Sequence, residues 1–417
     1  MYPEGTGERL GETSDVVRGR VIAWRSMRTR GVLVAGAFAL LAAGCAGNRP
    51  ALSLSVTPSS ALLDTPFRLR VTGLNARERV TIAASGHSHL GKVWRTVLKA
   101  QADSHGNVDL QNQYVIAQLR PVRKPATDDY LPWAQDLTVV VGAGNRGATA
   151  RARRVLRPAS VSITDERPRH VGFYGEWLTP RRTRRQTAIL FLGGSEGGVP
   201  MYPIAYMLAA HGYPVLALAY FGAPGLPRTL QRIPLEYFRR ALGWMRSRPE
   251  VDPQHIVTFG LSRGGELSLL LASTYRDLVH GAVGYAPSSL ANVGLPAGTQ
   301  PAWTDHGRPV IGGTIPVERI AGPVFVVGGG DDAIWPSGLA VDVIQQELRG
   351  HDPRDVTLVY PHAGHRAGGV PNIPELAATA SSINGTLHFG GTPQADEAAR
   401  EDSWPRLLRF LNGLSAS

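Results

Sequence analysis

The sequence has almost no cysteine, which limits what can cross-link the chain or bind a metal. Its 417 residues contain only Cys45, so an intrachain disulfide and a site built from several thiolates are excluded. His87 and His89 would share one face of a strand, but no third ligand is evident beside them, and a surface loop is the simpler interpretation. The sequence therefore predicts no metal site and no cofactor.

A basic stripe interleaved with aromatic residues is also missing. The formal net charge is +11, yet the arginines are scattered, with one concentration between Arg151 and Arg185, and aromatic residues make up 7% of the chain. A nucleic-acid-binding surface requires a clustered basic patch. Nucleic acid is therefore not an expected partner.

The apolar segment near the N-terminus is too short for a transmembrane helix. It runs from Val32 to Ala43 after two arginines, as in a signal peptide, whereas a bilayer-spanning helix needs about 20 apolar residues. The following Leu41-Ala42-Ala43-Gly44-Cys45 resembles a bacterial lipobox, which implies cleavage before Cys45 and a lipid on its sulfur. We predict an extracytoplasmic, membrane-anchored lipoprotein. Without cleavage the segment would remain as an anchor, and without a signal the protein would be cytoplasmic.

Hydrophobic periodicity divides the remaining chain into two regions. In the first, short runs of alternating apolar and polar residues are separated by turn residues, which predicts a β-sandwich. In the second, continuous apolar strands alternate with helices, the last of them over Trp404 to Leu414, which predicts a mostly parallel sheet covered on both faces. We predict a signal segment over residues 1–45, with Met27 as an alternative start, and a tether over 46–51. The sandwich then occupies 52–160, a linker with an opening hairpin 161–186, and the α/β domain 187–417.

A glycine-flanked serine stands between a predicted strand and a predicted helix. It is Ser262 in Gly260-Leu261-Ser262-Arg263-Gly264, after the apolar run 255–259 and before the leucine-rich segment 266–273. In this strand–turn–helix context, G-x-S-x-G is typical of a nucleophile elbow, in which small residues allow close backbone approach. We predict that Ser262 is a nucleophile. The alternative is a glycine-rich turn with an incidental serine.

Two later loops offer a general base and a carboxylate to orient it. The loop 328–335 contains Asp331 and Asp332, and the loop 361–365 contains His362 and His365. Each loop follows a predicted strand, in the order Ser, Asp, His that α/β-hydrolases have. We predict His365 as general base and then acid, and Asp332 as its partner. Spacing alone leaves Asp331 and His362 open.

An oxyanion hole would need backbone N–H donors beside the nucleophile. One is the N–H of Arg263, at the start of the predicted helix. The second is expected from the loop after the first long strand of the α/β region, Gly193-Gly194-Ser195-Glu196-Gly197-Gly198, with Ser195 and Glu196 as the candidate donors. A phosphate-binding P-loop is not indicated, because the lysine of that motif is missing.

These motifs together resemble the family of acyl-CoA thioesterases and bile acid-CoA:amino acid N-acyltransferases. The elbow 260–267 is similar to that family's G-x-S-x-G-G-E-L, the segments 330–335 and 360–365 are similar to its acid and base loops, and 62–66 is similar to its N-terminal half. The resemblance implies an immunoglobulin-like domain followed by an α/β-hydrolase domain. It also implies that Asp332 and His365 complete the triad.

The resemblance implies a serine acyl hydrolase that cleaves acyl thioesters through an acyl-enzyme. The amidating members carry a cysteine nucleophile, so Ser262 favours hydrolysis over transfer, and Glu196 would place a carboxylate near the mouth of the site. Two alternatives are an acyltransferase that uses a small amine or alcohol, and a lipid-anchored binding protein without turnover. An extracytoplasmic lipoprotein would not meet cytosolic acyl-CoA, so its substrate would be another ester or thioester. The sequence does not determine the acyl chain length of the substrate, its leaving group or the oligomeric state of the protein.

Overall fold

The computed structural model describes residues 51–88, 91–111, 115, 118–122, 134–181, 184–200, 203–373, 379–382 and 385–414. The predicted signal segment with Cys45, and also His89, lie outside these residues. No helix in the described part of the chain is long and apolar enough to cross a membrane.

The first region consists of β-strands whose side chains alternate between buried and exposed. In the strand that starts at Arg79, for example, Val80, Ile82 and Ala84 are buried, and they face a core that also contains Leu69 and Val139. The strands form two sheets, ordered β1-β3-β6 and β2-β9-β8-β4-β5-β7. Their bounds are β1 Ser53–Thr57, β2 Ser60–Leu62, β3 Arg68–Thr72, β4 Arg79–His87, β5 Val93–Gln101, β6 Val108–Gln111, β7 Arg120–Pro121, β8 Ala134–Ala143 and β9 Arg146–Val155.

The second region is built on an eight-stranded sheet with the order β10-β11-β13-β12-β15-β16-β19-β20. The hairpin of β10 and β11 is antiparallel, and the strands from β13 to β20 pair in parallel. The strands are β10 Val161–Glu166, β11 Tyr174–Pro180, β12 Gln186–Leu192, β13 Val215–Ala219, β14 Ile233–Pro234, β15 Val251–Leu261, β16 Ala282–Tyr285, β17 Trp303–Asp305, β18 Arg308–Val310, β19 Val324–Gly329, β20 Val356–Tyr360, β21 Thr379–Ser382 and β22 Gly385–His388. The helices are α1 Pro168–Val171, α2 Pro203–Ala210, α3 Leu235–Arg246, α4 Arg263–Thr274, α5 Ser337–Glu347 and α6 Pro393–Leu414, with a 3-10 turn at Val317–Arg319.

The burial of the central strands explains the sheet. Every residue of β13 and β16 is buried, and β12 is buried from its second residue onward, because helices cover both faces. The predicted fold class, an all-β sandwich followed by an α/β-hydrolase sheet, is confirmed. The chain crosses from β12 outward to β13 and then returns to β15 on the other side of β12. Loops after β12 and β15 therefore meet at a topological switch point, where ligands bind in open α/β sheets.

Two parts of the second region differ from the sequence-based expectation. The last helix, α6, begins at Pro393 and continues past Pro405, whereas the predicted helix began at Trp404. Its first half is largely polar, so hydrophobic periodicity did not reveal it. The short strands β14, β17 and β18 form an additional three-stranded sheet, and segments of two or three residues are too short to show a period.

A buried carboxylate joins the β-sandwich to the α/β region. The Asp64 side chain follows β2 and is 4% exposed. Its Oδ2 accepts hydrogen bonds from the Trp404 indole Nε1, at 2.7 Å, and from His211 Nε2, at 2.5 Å. The Asn372 amide donates to the carbonyl oxygen of Leu63 at 3.2 Å, next to Asp64 in the chain. These bonds tie the turn after β2 to α6 and to the end of α2.

Replacement of Asp64 by alanine should loosen this junction. The buried Trp404 indole N–H would lose its acceptor, and we expect the free energy of unfolding to fall by about 1–3 kcal/mol. Urea denaturation measures this change. The matched control is Asp136→Ala, because the Asp136–Arg153 ion pair is exposed and is worth less than about 1 kcal/mol. Equal effects of the two substitutions would contradict the junction.

Candidate active site

Ser262 lies in a strained turn between β15 and α4. Its φ of 53° and ψ of −119° are unusual for a residue with a side chain, and its N–H donates to the carbonyl oxygen of Tyr285 at 2.8 Å. A Cβ on Gly260 would overlap the carbonyl oxygen of Gly264, and a Cβ on Gly264 would overlap that of Leu192. Both glycines are therefore required for the turn. The strand–turn–helix context predicted around Ser262 is present.

Asp332 and His365 form a buried hydrogen-bonded pair. His365 Nδ1 donates to Asp332 Oδ2 at 2.8 Å, and the two side chains are 10% and 0% exposed. The carboxylate also accepts the hydroxyl of Ser337 at 2.5 Å and the backbone N–H groups of Ile334 and Trp335. These donors fix the position of the carboxylate and satisfy its oxygens. The pair leaves His365 Nε2 as the nitrogen that can take up a proton.

The neighbouring residues Asp331 and His362 lie in a different environment. Their side chains are 57% and 86% exposed, and His362 Nδ1 is 3.8 Å from Asp331 Oδ2. Both loops therefore carry one buried and one solvent-exposed candidate. Of the four pairings that spacing left open, only Asp332 with His365 joins two side chains that are enclosed by the protein.

A tryptophan connects the acid–base pair to the turn of Ser262. The Trp335 indole Nε1 donates to the carbonyl oxygen of Ala286 at 3.0 Å, directly after Tyr285, which accepts the Ser262 N–H. The Trp335 ring also meets the His365 ring edge-on, with centroids 6.0 Å apart. The loops after β15, β16, β19 and β20 thus come together at one edge of the sheet.

The His365 loop is held by the C-terminal part of the chain. The main-chain N–H of His365 donates to the carbonyl oxygen of Phe389 at 2.7 Å, and the Phe389 ring stacks on the imidazole. The N–H of Gly364 donates to Asp396 Oδ1 at 2.7 Å, on the first turn of α6. Sequence reasoning did not identify Phe389 or Asp396, because neither belongs to a strand-end motif.

A second buried carboxylate, Glu266, holds the first turn of α4. Its side chain is fully buried. Oε1 accepts the Trp303 indole N–H at 2.7 Å and the Asn292 backbone N–H at 3.0 Å. Oε2 accepts Arg263 Nη1 at 2.7 Å and Asn292 Nδ2 at 2.8 Å, and Arg263 Nη2 donates to the carbonyl oxygen of Val293. The only sequence signal for this network was the glutamate that follows the elbow glycines.

The loop after β12 lies beside the nucleophile. The point at which a side chain on Gly194 would begin is 3.4 Å from Ser262 Cβ and 3.0 Å from Glu196 Oε2. Glu196 Oε1 accepts the N–H of Gly194 at 3.0 Å. The carboxylate predicted near the mouth of the site is therefore folded back over the glycines of its own loop. The Gly194 N–H is engaged by it, which leaves Ser195 and Glu196 as the candidate donors.

The start of α4 supplies the other candidate donor. Arg263 is the first helical residue, so its backbone N–H has no acceptor within the helix and points out of the N-terminus. Its side chain is buried against Glu266 and does not extend into the site. The residue thus combines a structural side chain with a backbone group that can face a developing oxyanion.

One group of potential metal ligands occurs among the described residues, away from the predicted site. Glu236, Asp305 and His306 lie near the start of α3 and the turn after β17. The His306 N–H donates to Glu236 at 2.6 Å, and its Nδ1 is 2.9 Å from Asp305. Glu236 Oε1 and Asp305 Oδ1 are engaged by His306, whereas Glu236 Oε2 is buried without a hydrogen-bond partner. His87 ends β4, on the sandwich.

Comparison with known proteins identifies relatives of both regions. The family model "BAAT / Acyl-CoA thioester hydrolase C terminal" matches residues 233–293 and 307–415, and "Acyl-CoA thioester hydrolase/BAAT N-terminal region" matches residues 64–117, together more than half of the chain. Acyl-coenzyme A thioesterase 6 of Mus musculus is 28% identical over 87% of this chain and 98% of its own length. Mitochondrial acyl-coenzyme A thioesterase 2 of Homo sapiens is 28% identical over 84% of this chain and 81% of its own length. Among solved structures, the alpha/beta hydrolase MGS-M1 from a deep-sea metagenome library has a TM-score of 0.41 at 18% identity, over 62% of this chain and 99% of that one.

Replacement of Glu266 by glutamine should destabilise the fold strongly. The change leaves the Arg263 guanidinium buried without a carboxylate, and breaking a buried ion pair on one side costs about 3–5 kcal/mol. Chemical denaturation measures the loss. Glu318→Gln is the matched control, because Glu318 and Arg319 are both exposed. An unchanged unfolding midpoint for the Glu266 variant would mean that the network is not needed to hold α4.

Proposed function

Since this chain belongs to the acyl-CoA thioester hydrolase/BAAT family, we propose that it hydrolyses acyl thioesters through a covalent acyl-enzyme on Ser262. The observation that carries the proposal is the enclosed Asp332–His365 hydrogen bond at the sheet edge where Ser262 occupies its strained turn. The full-length similarity to proteins named acyl-coenzyme A thioesterases supports a thioester as the substrate class.

The proposed acylation step uses each of the three residues at a defined atom. His365 Nε2 takes the proton from the Ser262 hydroxyl as the oxygen attacks the thioester carbonyl carbon. Asp332 stays ionised and stabilises the imidazolium through Nδ1. The tetrahedral oxyanion is bound by the backbone N–H of Arg263 and by a second N–H from the loop after β12. Collapse of this intermediate breaks the carbon–sulfur bond, and the departing thiolate receives the proton from His365.

Deacylation repeats the same steps with water as the nucleophile. His365 removes a proton from water as its oxygen attacks the acyl ester of Ser262, and the proton is then returned to the Ser262 oxygen as the carboxylic acid leaves. An alternative fate for the acyl group is transfer to a small amine or alcohol. A serine ester is less reactive toward amines than a cysteine thioester, so hydrolysis is the favoured outcome.

Substitutions at the two loops should separate the buried pair from its exposed neighbours. We expect Ser262→Ala, His365→Ala and Asp332→Ala to lower kcat on palmitoyl-CoA by about 10³-fold or more, because each removes part of one catalytic unit. The controls His362→Ala and Asp331→Ala, on the same loops, should stay within about twofold of wild type, since these side chains face solvent. Release of CoA, followed with a thiol reagent, measures the rate.

Product analysis and active-site labelling separate hydrolysis from acyl transfer and from binding without turnover. Mass spectrometry of the products with glycine and taurine present should show free fatty acid and no amide. An amide product would favour the acyltransferase. Full activity of Ser262→Ala, or failure of a fluorophosphonate probe to label Ser262 in a chain that turns over no ester or thioester, would overturn the enzymatic proposal.

We also propose that the chain is anchored to a membrane through a lipid on Cys45. The lipobox-like sequence before this residue supports the proposal. Expression in a bacterial host with labelled palmitate should give a labelled, membrane-associated protein, and Cys45→Ser should abolish the label. Mature protein whose N-terminus lies upstream of Cys45 would contradict it. If the anchor is extracytoplasmic, the natural substrate is a thioester or ester other than cytosolic acyl-CoA.

A further inference from the structure

A buried tyrosine contacts two carbonyl oxygens of the loop after β12. Tyr220 directly follows β13 in the chain. Its hydroxyl lies 2.7 Å from the carbonyl oxygen of Gly193 and 2.9 Å from that of Gly194. Tyr220 is 3% exposed. Its ring packs against Phe238 and Trp303, with centroids 5.6 Å and 5.7 Å apart. The hydroxyl therefore has a fixed position in which its single proton is shared between the carbonyl oxygens of two successive peptide groups.

Peptide geometry determines where the N–H groups of these peptides point. In a planar trans peptide the C=O and the following N–H point in opposite directions. Because the carbonyls of Gly193 and Gly194 both face Tyr220, the N–H groups of Gly194 and Ser195 both point away from it. The hydrogen bond of the Gly194 N–H agrees with this orientation, since it donates to Glu196 Oε1 at 3.0 Å.

The Gly194 N–H points to the carboxylate of Glu196, and this carboxylate lies on the side of Gly194 that faces Ser262. Ser262 Cβ and Glu196 Oε2 both lie within 3.4 Å of the point at which a Gly194 side chain would begin. Two adjacent backbone N–H groups with one orientation form a small anion-binding nest. Here the first N–H of the pair, that of Gly194, binds a negatively charged group, the carboxylate of Glu196, next to Ser262.

We infer that Tyr220 is a positioning residue that orients the Ser195 N–H as the second oxyanion donor. The inference rests on the proposed acyl-enzyme reaction and deepens it, because it decides between Ser195 and Glu196. Tyr220 touches no substrate atom. It acts by holding the carbonyl of Gly194, and the rigid peptide plane transmits that orientation to the N–H of Ser195.

Tyr220→Phe tests this role, because it removes the hydroxyl and keeps the ring. We expect kcat on palmitoyl-CoA to fall by about 10- to 100-fold with KM nearly unchanged, since the lost interaction acts on the transition state. Binding of a trifluoromethyl ketone with the same acyl chain, which forms an oxyanion on Ser262, should weaken by the same factor as kcat/KM. Binding of the unreactive thioether analogue of palmitoyl-CoA should not change.

The matched control is Tyr213→Phe. Tyr213 is also buried and lies two residues before Val215, the first residue of β13, whereas Tyr220 follows the other end of that strand. The Tyr213 hydroxyl donates to Asn412 Oδ1 at 2.7 Å. It should lose comparable stability and keep wild-type kcat. A Tyr220→Phe enzyme with wild-type kcat would overturn the inference. The inference would also be overturned if Tyr220→Phe bound the ketone and the thioether more weakly by equal factors and had a lower melting temperature than Tyr213→Phe. That pattern would indicate a purely structural effect.

A second variant tests the donor itself. Ser195→Pro removes the backbone N–H of an exposed residue, and we expect kcat to fall by about 10²–10³-fold. Tyr220→Phe should then add little to Ser195→Pro, because both act through one N–H. Additive losses would overturn the link between the two residues. If instead wild type and Ser262→Ala hydrolyse equally, the proposed function has failed and not this inference.

Discussion

The close packing of three backbone segments at the switch point is the constraint on which the site depends. Gly264, at the start of α4, lies against the carbonyl oxygens at the end of β12, and Gly260 lies against Gly264. Backbone segments can approach this closely only where the residues in contact lack a Cβ atom. The helix α4 therefore begins immediately beside the loop that follows β12. Ser262 is forced into its positive φ by this contact, and the N-terminus of α4 is brought to the place where negative charge would develop.

Two carboxylates buried around the elbow, Glu266 and Asp332, hold neighbouring groups in place. Glu266 is surrounded by four donors, and Asp332 by three besides His365, so neither carboxylate is left unsatisfied. A buried carboxylate with such a shell fixes the groups that donate to it. Glu266 thereby fixes a helix terminus, whereas Asp332 fixes the ring of His365.

The features predictable from the sequence were those encoded within a few residues. Strand–loop patterns located Ser262, Asp332 and His365, and the glycines around Ser262 identified the turn, because these signals are local. Spacing could not separate Asp331 from Asp332, since the difference between them is burial. Tyr220, Phe389 and Asp396 support the site through contacts between segments far apart in the chain, which no local period reveals. The polar first half of α6 was missed for the same reason, because tertiary contacts and not an apolar stripe hold it in place.

The helix α6 contacts both the base loop and the sandwich. Near its start, Asp396 holds the loop of His365, and one residue before Pro405, Trp404 donates to Asp64 from the β-region. The same helix therefore positions the His365 imidazole and binds the β-sandwich. Recombination of this hydrolase region with a foreign sandwich would therefore be expected to preserve function only when the incoming module brings an acceptor for the tryptophan.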